Sequence, residues 1–200
     1  MALSDFTLYD QNGQRKYLTS AERKQFFEAI EPALSGSTDR EKRTFVLMIY
    51  YSGCRISEAL SVTYNQIDYA GGGVIFKTLK RKKLVHRLVP LPRPFMTKLD
   101  DVHRVKDFQG TDKGDDRIWE FGRTTGWTVV NRVMDKGEIS GAQACPKGLR
   151  HSFAIEHKLL KTPETSIAKW MGHANTAMMA VYGEAVGEEE RALAERLWKK

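Results

Sequence analysis

The chain has only two cysteines in 200 residues, Cys54 and Cys145, far apart in sequence. Two isolated thiols do not make a disulfide framework, and a reducing cytoplasm is the simplest setting. No unbroken apolar run approaches the roughly twenty residues that a membrane-spanning helix needs. The first residues, MALSDFTLYDQNGQRKYL, lack the apolar core of a signal peptide. No cluster of His, Cys and Asp has metal-ligand spacing, so no metal is expected. Internal repeats and low-complexity tracts are also missing. What is there is 41% apolar with four tryptophans. That is enough for a real core, in one large domain or two small ones.

Charge is the first positive signal. The formal net charge is +7. Such an excess favours a polyanionic partner, above all nucleic acid, although a merely basic soluble protein would carry the same sum. The arrangement says more. Lysine and arginine crowd into residues 77–87, whereas Glu188, Glu189, Glu190 and Glu195 gather at the far end.

Periodicity and punctuation predict a mainly α-helical chain with one small antiparallel hairpin, an α+β pattern. Residues 1–18 are polar and unpatterned and read as an N-terminal arm. Thr19 and Glu22 form a capping box that opens a helix through about Ile30. Thr38 and Glu41 read as a second box. The helix behind it, Phe45 to Tyr51, is apolar nearly all round and so should be buried on most sides. Gly53 ends it, and a short helix over 54–60 follows with Arg55 at its entrance and Glu58 within pairing distance.

Gly71, Gly72 and Gly73 make a turn. Val74–Phe76 and Leu84–Leu91 read as the strands of a hairpin, joined by a connection from Lys77 to Lys83 with five basic residues. Helices are expected over about 94–105, 128–136, 148–160, and from the cap Thr162-Pro163 to Met171. A short helix over 175–182 brings up Tyr182. Residues 188–200 form an amphipathic tail, with Leu193 and Leu197, and Ala194 and Trp198, as i,i+4 pairs.

The chemistry concentrates near the C-terminus. Lys147, Arg150, His173 and Tyr182 lie in one run of helices. A tyrosine oxygen can attack a phosphodiester while cationic groups neutralise the charge growing on its oxygens. Together, Ser52-Gly-Cys-Arg-Ile-Ser-Glu-Ala-Leu60, Gly148-Leu-Arg-His-Ser-Phe153, Gly172-His-Ala174 and Tyr182 resemble the catalytic domain of the tyrosine recombinases, also called the phage integrase family. The likeness covers about residue 38 to the C-terminus, and the spacing from His173 to Tyr182 fits as well.

The resemblance implies a site-specific DNA recombinase or integrase, cytoplasmic and nucleoid-associated in a bacterium, that needs no cofactor. By it, Arg55 and Arg150 clamp the non-bridging oxygens of the scissile phosphate, as planar, permanently charged guanidinium groups can. His173 donates to the same phosphate. Tyr182 is the nucleophile and is left as a 3′-phosphotyrosine. A hairpin lysine protonates the leaving 5′ oxygen. Lys80 is the choice here, with Lys77, Lys82 and Lys83 as rivals. The partners implied are double-stranded DNA and three further copies, in a homo-tetramer that exchanges C-terminal helices. The tail, 187–200, would be that helix, or it would pack on its own domain. The catalytic domain would run over 19–200.

Two features depart from the family pattern. Histidine usually stands three residues before the second arginine, where this chain has Lys147. A lysine still stabilises charge, but its unperturbed pKa of about 10.4, against about 6.5 for histidine, makes it a poorer proton acceptor. In addition, only about 37 residues precede the resemblance, too few for the separate N-terminal helical domain of many members. A cut-out catalytic domain and a naturally short recombinase both fit that length.

Each residue also has a plain explanation. Arg55 would pair with Glu58, and His173 would cap a helix. Tyr182 would be a half-buried helix tyrosine. His151 would pack behind Arg150, and Trp119, Trp127 and Trp170 would be core. The joint occurrence of the motifs in this order favours catalysis. The rival functions are a type IB topoisomerase-like enzyme and a catalytically inactive DNA-binding regulator.

Overall fold

The helix that is apolar nearly all round is the centre of the molecule. The computed structural model describes residues 7–80, 83–173, 177–183, 191, 194 and 195. In it α2, Arg40–Ser52, buries Thr44 to Ile49 and Ser52. Its neighbours are α1 (Ser20–Ala33), α4 (Arg93–His103), α6 (Arg123–Lys136) and α7 (Pro146–Leu159), which pack on it from several sides. Phe45 meets the fully buried Trp119 edge to face, with ring centres 5.6 Å apart. α6 comes close enough to Phe45 that a Cβ on Gly126 would lie 2.9 Å from its ring, so glycine is required there.

The first capping box forms as expected: Thr19 Oγ1 accepts from the Glu22 N–H, and the Glu22 carboxylate from the Thr19 N–H. The second does not. Ser37–Asp39 is a 3₁₀ turn, and Asp39 flanks α2 without a side-chain cap. The 3₁₀ turn takes Thr38 into itself and moves the start of α2 to Arg40, while the Asp39 carboxylate pairs with Lys42 at 2.6 Å and Arg132 at 3.5 Å.

The sheet is antiparallel, in the order β1 (Ile67–Asp68), β2 (Gly73–Lys80), β3 (Lys83–Pro90). The strands of the hairpin outrun the expectation. Pairing continues through Lys77 with His86 and on to Lys80 with Lys83, so residues read as a basic connection are ladder. Charge does not stop a ladder whose side chains reach water. α5 (Val105–Phe108) starts just after α4, and α6 starts five residues ahead of the expected Thr128. Trp127 is half exposed and not a core residue; Trp119 is fully buried, and Trp170 is half-buried against the core.

A second apolar cluster lies against α7. Phe153, Ala154 and Ile155 of that helix join Ile167, Ala168 and Met171 of α8 (Glu164–Met171). Met179 of α9 (Ala177–Ala180) and Val181 and Tyr182 of the following 3₁₀ turn (Val181–Gly183) complete it on one side. Leu8 and Tyr17 of the N-terminal segment complete it on the other, both with no exposed surface. The tail helix expected over 187–200 falls almost wholly outside the described residues. Among the described residues, no helix is long and apolar enough to cross a membrane.

Gly53 joins α2 to the next helix with φ 59°, and a Cβ there would sit 2.5 Å from the Phe153 ring. Left-handed strain and the clash together predict that Gly53→Ala lowers stability by about 3 kcal/mol. Urea unfolding checks this; an unchanged midpoint would contradict the packing described.

Candidate active site

The site grows from the turn between α2 and α3 (Ile56–Leu60). Arg55 stands in extended backbone just ahead of α3. The Glu58 carboxylate reaches back and accepts the Arg55 backbone N–H at 2.8 Å, occupying one of the donors that a helix start leaves open. The same carboxylate faces three guanidinium groups. Its Oε1 is 2.9 Å from Arg87 Nη2 and 3.4 Å from Arg55 Nη1; its Oε2 is 3.9 Å from Arg150 Nη1. Burial opposes ionisation of Glu58 most strongly, but Arg87, the Arg55 backbone N–H, Arg150 and the Arg55 side chain outweigh it. The carboxyl is held below its ordinary range.

Arg150, on the first turns of α7, is held from two further sides. Nη1 donates to the Gly53 carbonyl at 2.7 Å and Nη2 to the Met171 carbonyl at 2.6 Å. Burial, then repulsion from Arg55, lowers its pKa to about 10, so it stays cationic at neutral pH. Arg55 differs in being open to solvent, with 49% of its side chain exposed. One guanidinium is locked and the other is free to meet a ligand.

α8 ends at Gly172 in the left-handed conformation, and the His173 N–H donates to the Ala168 carbonyl at 2.9 Å. That closure puts His173 Nε2 3.3 Å from Arg150 Nη2. The Tyr182 ring stacks parallel to His173, with centres 6.1 Å apart and planes 5° apart. Its hydroxyl lies 3.3 Å from His151 Nδ1. Burial pushes the phenol's pKa up, against the pull of Arg150 and Arg55. The His151 imidazole is pushed down to about 3, by burial first and then by Lys147, Arg150, Lys16 and His173. The Cys54 thiol, beside Arg55, is raised to about 12 by burial and is an inert core group.

The fold therefore brings Arg55, Arg150, His173 and Tyr182 into one connected set. Lys147 stands at the exposed start of α7, one turn from His151. Lys80 is the last residue of β2, paired with Lys83; its side chain lies outside the described residues. Among the described residues, no group of three or more His, Cys, Asp or Glu is placed to hold a metal ion. Residues 16–188 match the family described as the phage integrase family.

The chain belongs to the phage integrase family. Tyrosine recombinase XerA of Thermococcus kodakarensis is 24% identical over 188 residues, covering 90% of this chain and 62% of that protein. Tyrosine recombinase XerD of Mycobacterium tuberculosis is 28% identical over 156 residues, covering 74% and 49%. Among solved structures, the XerH site-specific recombinase in a pre-cleavage complex with its difH substrate superposes with a TM-score of 0.72 at 17% identity. The match covers 98% of this chain and 62% of XerH. The catalytic domain of bacteriophage HP1 integrase gives 0.58 at 17% identity, over 90% of this chain and 95% of that domain. At such identities the superpositions establish the fold, a phage integrase catalytic fold. The chain spans about three fifths of the length of the XerA relative, 62%.

Two residues have contacts with this set that the sequence did not announce. Arg87 is buried in β3, donates from Nε to the Trp170 carbonyl at 2.9 Å and lies over the Phe76 ring. Its signal was an arginine at the strand parity of Val89, where only a paired charge can be buried. His151 was read as packing behind Arg150, yet its ring reaches the tyrosine. Nothing local in the sequence marks that contact, which depends on the turn after α9.

The shifts set an acid limit on stability. Unfolded histidine titrates at about 6.5 and buried His151 at about 3, so the fold loses stability as pH falls through that window. His151→Gln should flatten the loss below pH ~6 by about 1.4 kcal/mol per pH unit. Glu58 is depressed, so its contribution is present above about pH 4.3 and lost below it; Glu58→Gln should reduce stability most at neutral pH. Urea midpoints between pH 4 and 8 measure both.

Proposed function

We propose that this chain is the catalytic part of a site-specific DNA recombinase that cuts and rejoins strands through a 3′-phosphotyrosine on Tyr182. The observation that carries this reading is the Arg150 side chain, locked by two carbonyls, 3.3 Å from His173 and sharing Glu58 with exposed Arg55. Tyr182 stacks on that His173. Such a set neutralises a phosphate whose oxygens gain charge during attack. The XerH relative, whose complex with a DNA substrate has the same fold, supports DNA as the partner.

The Tyr182 oxygen attacks phosphorus, the bond to the 5′ oxygen breaks, and that oxygen takes a proton from Lys80. Rejoining reverses each step, so the phosphate bond is conserved in the tyrosyl ester. Lys80 shares the strand parity of Val74 and Phe76, the buried residues of β2, whereas Lys77 has the opposite parity and is exposed. This favours Lys80 over Lys77. Lys147, exposed at the start of α7, offsets the negative charge on the phosphate and is not the base for Tyr182. The working assembly is a tetramer on DNA, with the segment 187–200 exchanged between copies. The unit runs from residue 19 onward, with 1–18 as an arm laid on it.

The test begins by recovering the DNA bound to the native protein. A nicked suicide duplex of that sequence should trap a covalent adduct with wild type and none with Tyr182→Phe. An adduct with the phenylalanine variant would refute the assignment of the nucleophile. Lys80→Ala should slow cleavage about 100-fold or more with little change in binding, and a 5′-thiolate leaving group, which needs no proton, should restore it. Unrestored cleavage would move the acid to another residue. Binding should weaken steeply with salt, as phosphate contacts do.

A further inference from the structure

His151 stands next to the locked arginine but serves a different neighbour. Consecutive residues on a helix point about 100° apart, so Arg150 turns to Glu58 and Gly53 while His151 turns to the tyrosine. Its Nδ1 lies 3.3 Å from the Tyr182 hydroxyl, and the two rings are 5.8 Å apart at 53°. It is 1% exposed. We propose that His151 is the general base for Tyr182, accepting the phenolic proton at Nδ1 as the oxygen attacks phosphorus and returning it when the strand is rejoined. This rests on the reading of Tyr182 as nucleophile.

The chain's own chemistry leaves this role open. The family position that usually carries histidine holds Lys147, an amine in place of an imidazole. Lys147 is also exposed, one helical turn away from His151. The His151 ring is neutral in the empty site and so has a lone pair to accept with, and the burial and charges that keep it neutral also make it a weak base until an anion binds. Tautomer follows from the role: Nδ1 carries the lone pair and Nε2 the hydrogen.

Lys147 and Arg150 from α7, Lys16 from the N-terminal segment and His173 after α8 all act against a proton on this ring, and Tyr182 lies beside it. They disfavour an imidazolium while no anion is bound. A phosphate between Arg55 and Arg150 offsets that repulsion and raises the basicity of His151 at the moment it is needed. The proton balance is simple. Tyr182 loses one proton to Nδ1, Lys80 gives one to the 5′ oxygen, and both return on rejoining.

The experiment measures single-turnover adduct formation on the nicked duplex for wild type, His151→Leu and His151→Gln. Each is made with tyrosine or with 2,3,5-trifluorotyrosine, a more acidic phenol, at position 182. With ordinary tyrosine both variants should cleave about 100-fold slower than wild type while binding DNA equally well. With the fluorinated phenol, which ionises without help, the gap should shrink to about 10-fold or less. His151→Gln keeps a polar group in the pocket and carries the comparison if the leucine variant does not fold. Rates equal to wild type, or an equal loss with both phenols, would overturn the proposal and leave His151 a packing residue. Absence of any wild-type adduct would instead sink the reading of Tyr182 itself.

Discussion

One buried carboxylate organises the site. Glu58 faces Arg55, Arg87 and Arg150, which come from three different elements. Burying Arg87 and Arg150 without it would be costly, and a buried pair gains most when its geometry is good and its other donors find partners. Arg150 spends its other donors on the Gly53 and Met171 carbonyls, and Arg87 gives Nε to Trp170. The knot therefore ties α3, the hairpin, α7 and the end of α8 to a single point. Its effect is on position more than on stability: replacing such a cluster by apolar residues often leaves a protein as stable, but here Glu58 is the one group that all three arginines share.

The hairpin shows why this matters. β3 carries Arg87, and the far end of β2 carries Lys80. Because Arg87 is anchored to Glu58 and to the backbone before Gly172, the root of the hairpin is fixed relative to the arginines. From that root the pairing runs on through Lys77 with His86 to Lys80 with Lys83.

Much of this was legible in the sequence, for physical reasons that differ by residue. The α2 helix declared itself by being apolar all round, and only a central helix can bury every face. Gly53 and Gly172 marked the two helix ends that place Arg55 and His173, and both are left-handed. The Arg55–Glu58 pair followed from i,i+3 spacing. What escaped was non-local. The extra ladder beyond Phe76 depends on cross-strand pairing. Leu8 and Tyr17 looked like parts of a polar stretch, because isolated apolar residues carry no period. Their burial comes from α7 and α8, which the local sequence cannot report.

Helix α7 is where the two halves meet. Arg150 faces the charged knot, His151 faces the tyrosine, and Phe153 packs under both against Gly53. The rotation of this one helix therefore sets the contacts of Arg150 and of Tyr182 together. Its register is fixed at the start: Gly148 passes so close to the Gln143 carbonyl that a Cβ would lie 2.0 Å away, and Pro146 occupies the first turn. Gln143 in turn donates to Glu22, which is paired with Arg15 of the N-terminal segment. The same segment sends Tyr17 into the cluster around Tyr182 and Lys16 toward Lys147. Residues that looked like an unpatterned prelude thus brace α7 from outside. A turn of that helix by even a fraction of a step would move Arg150 off Glu58 and His151 off the tyrosine at once, so the two contacts are set or lost together.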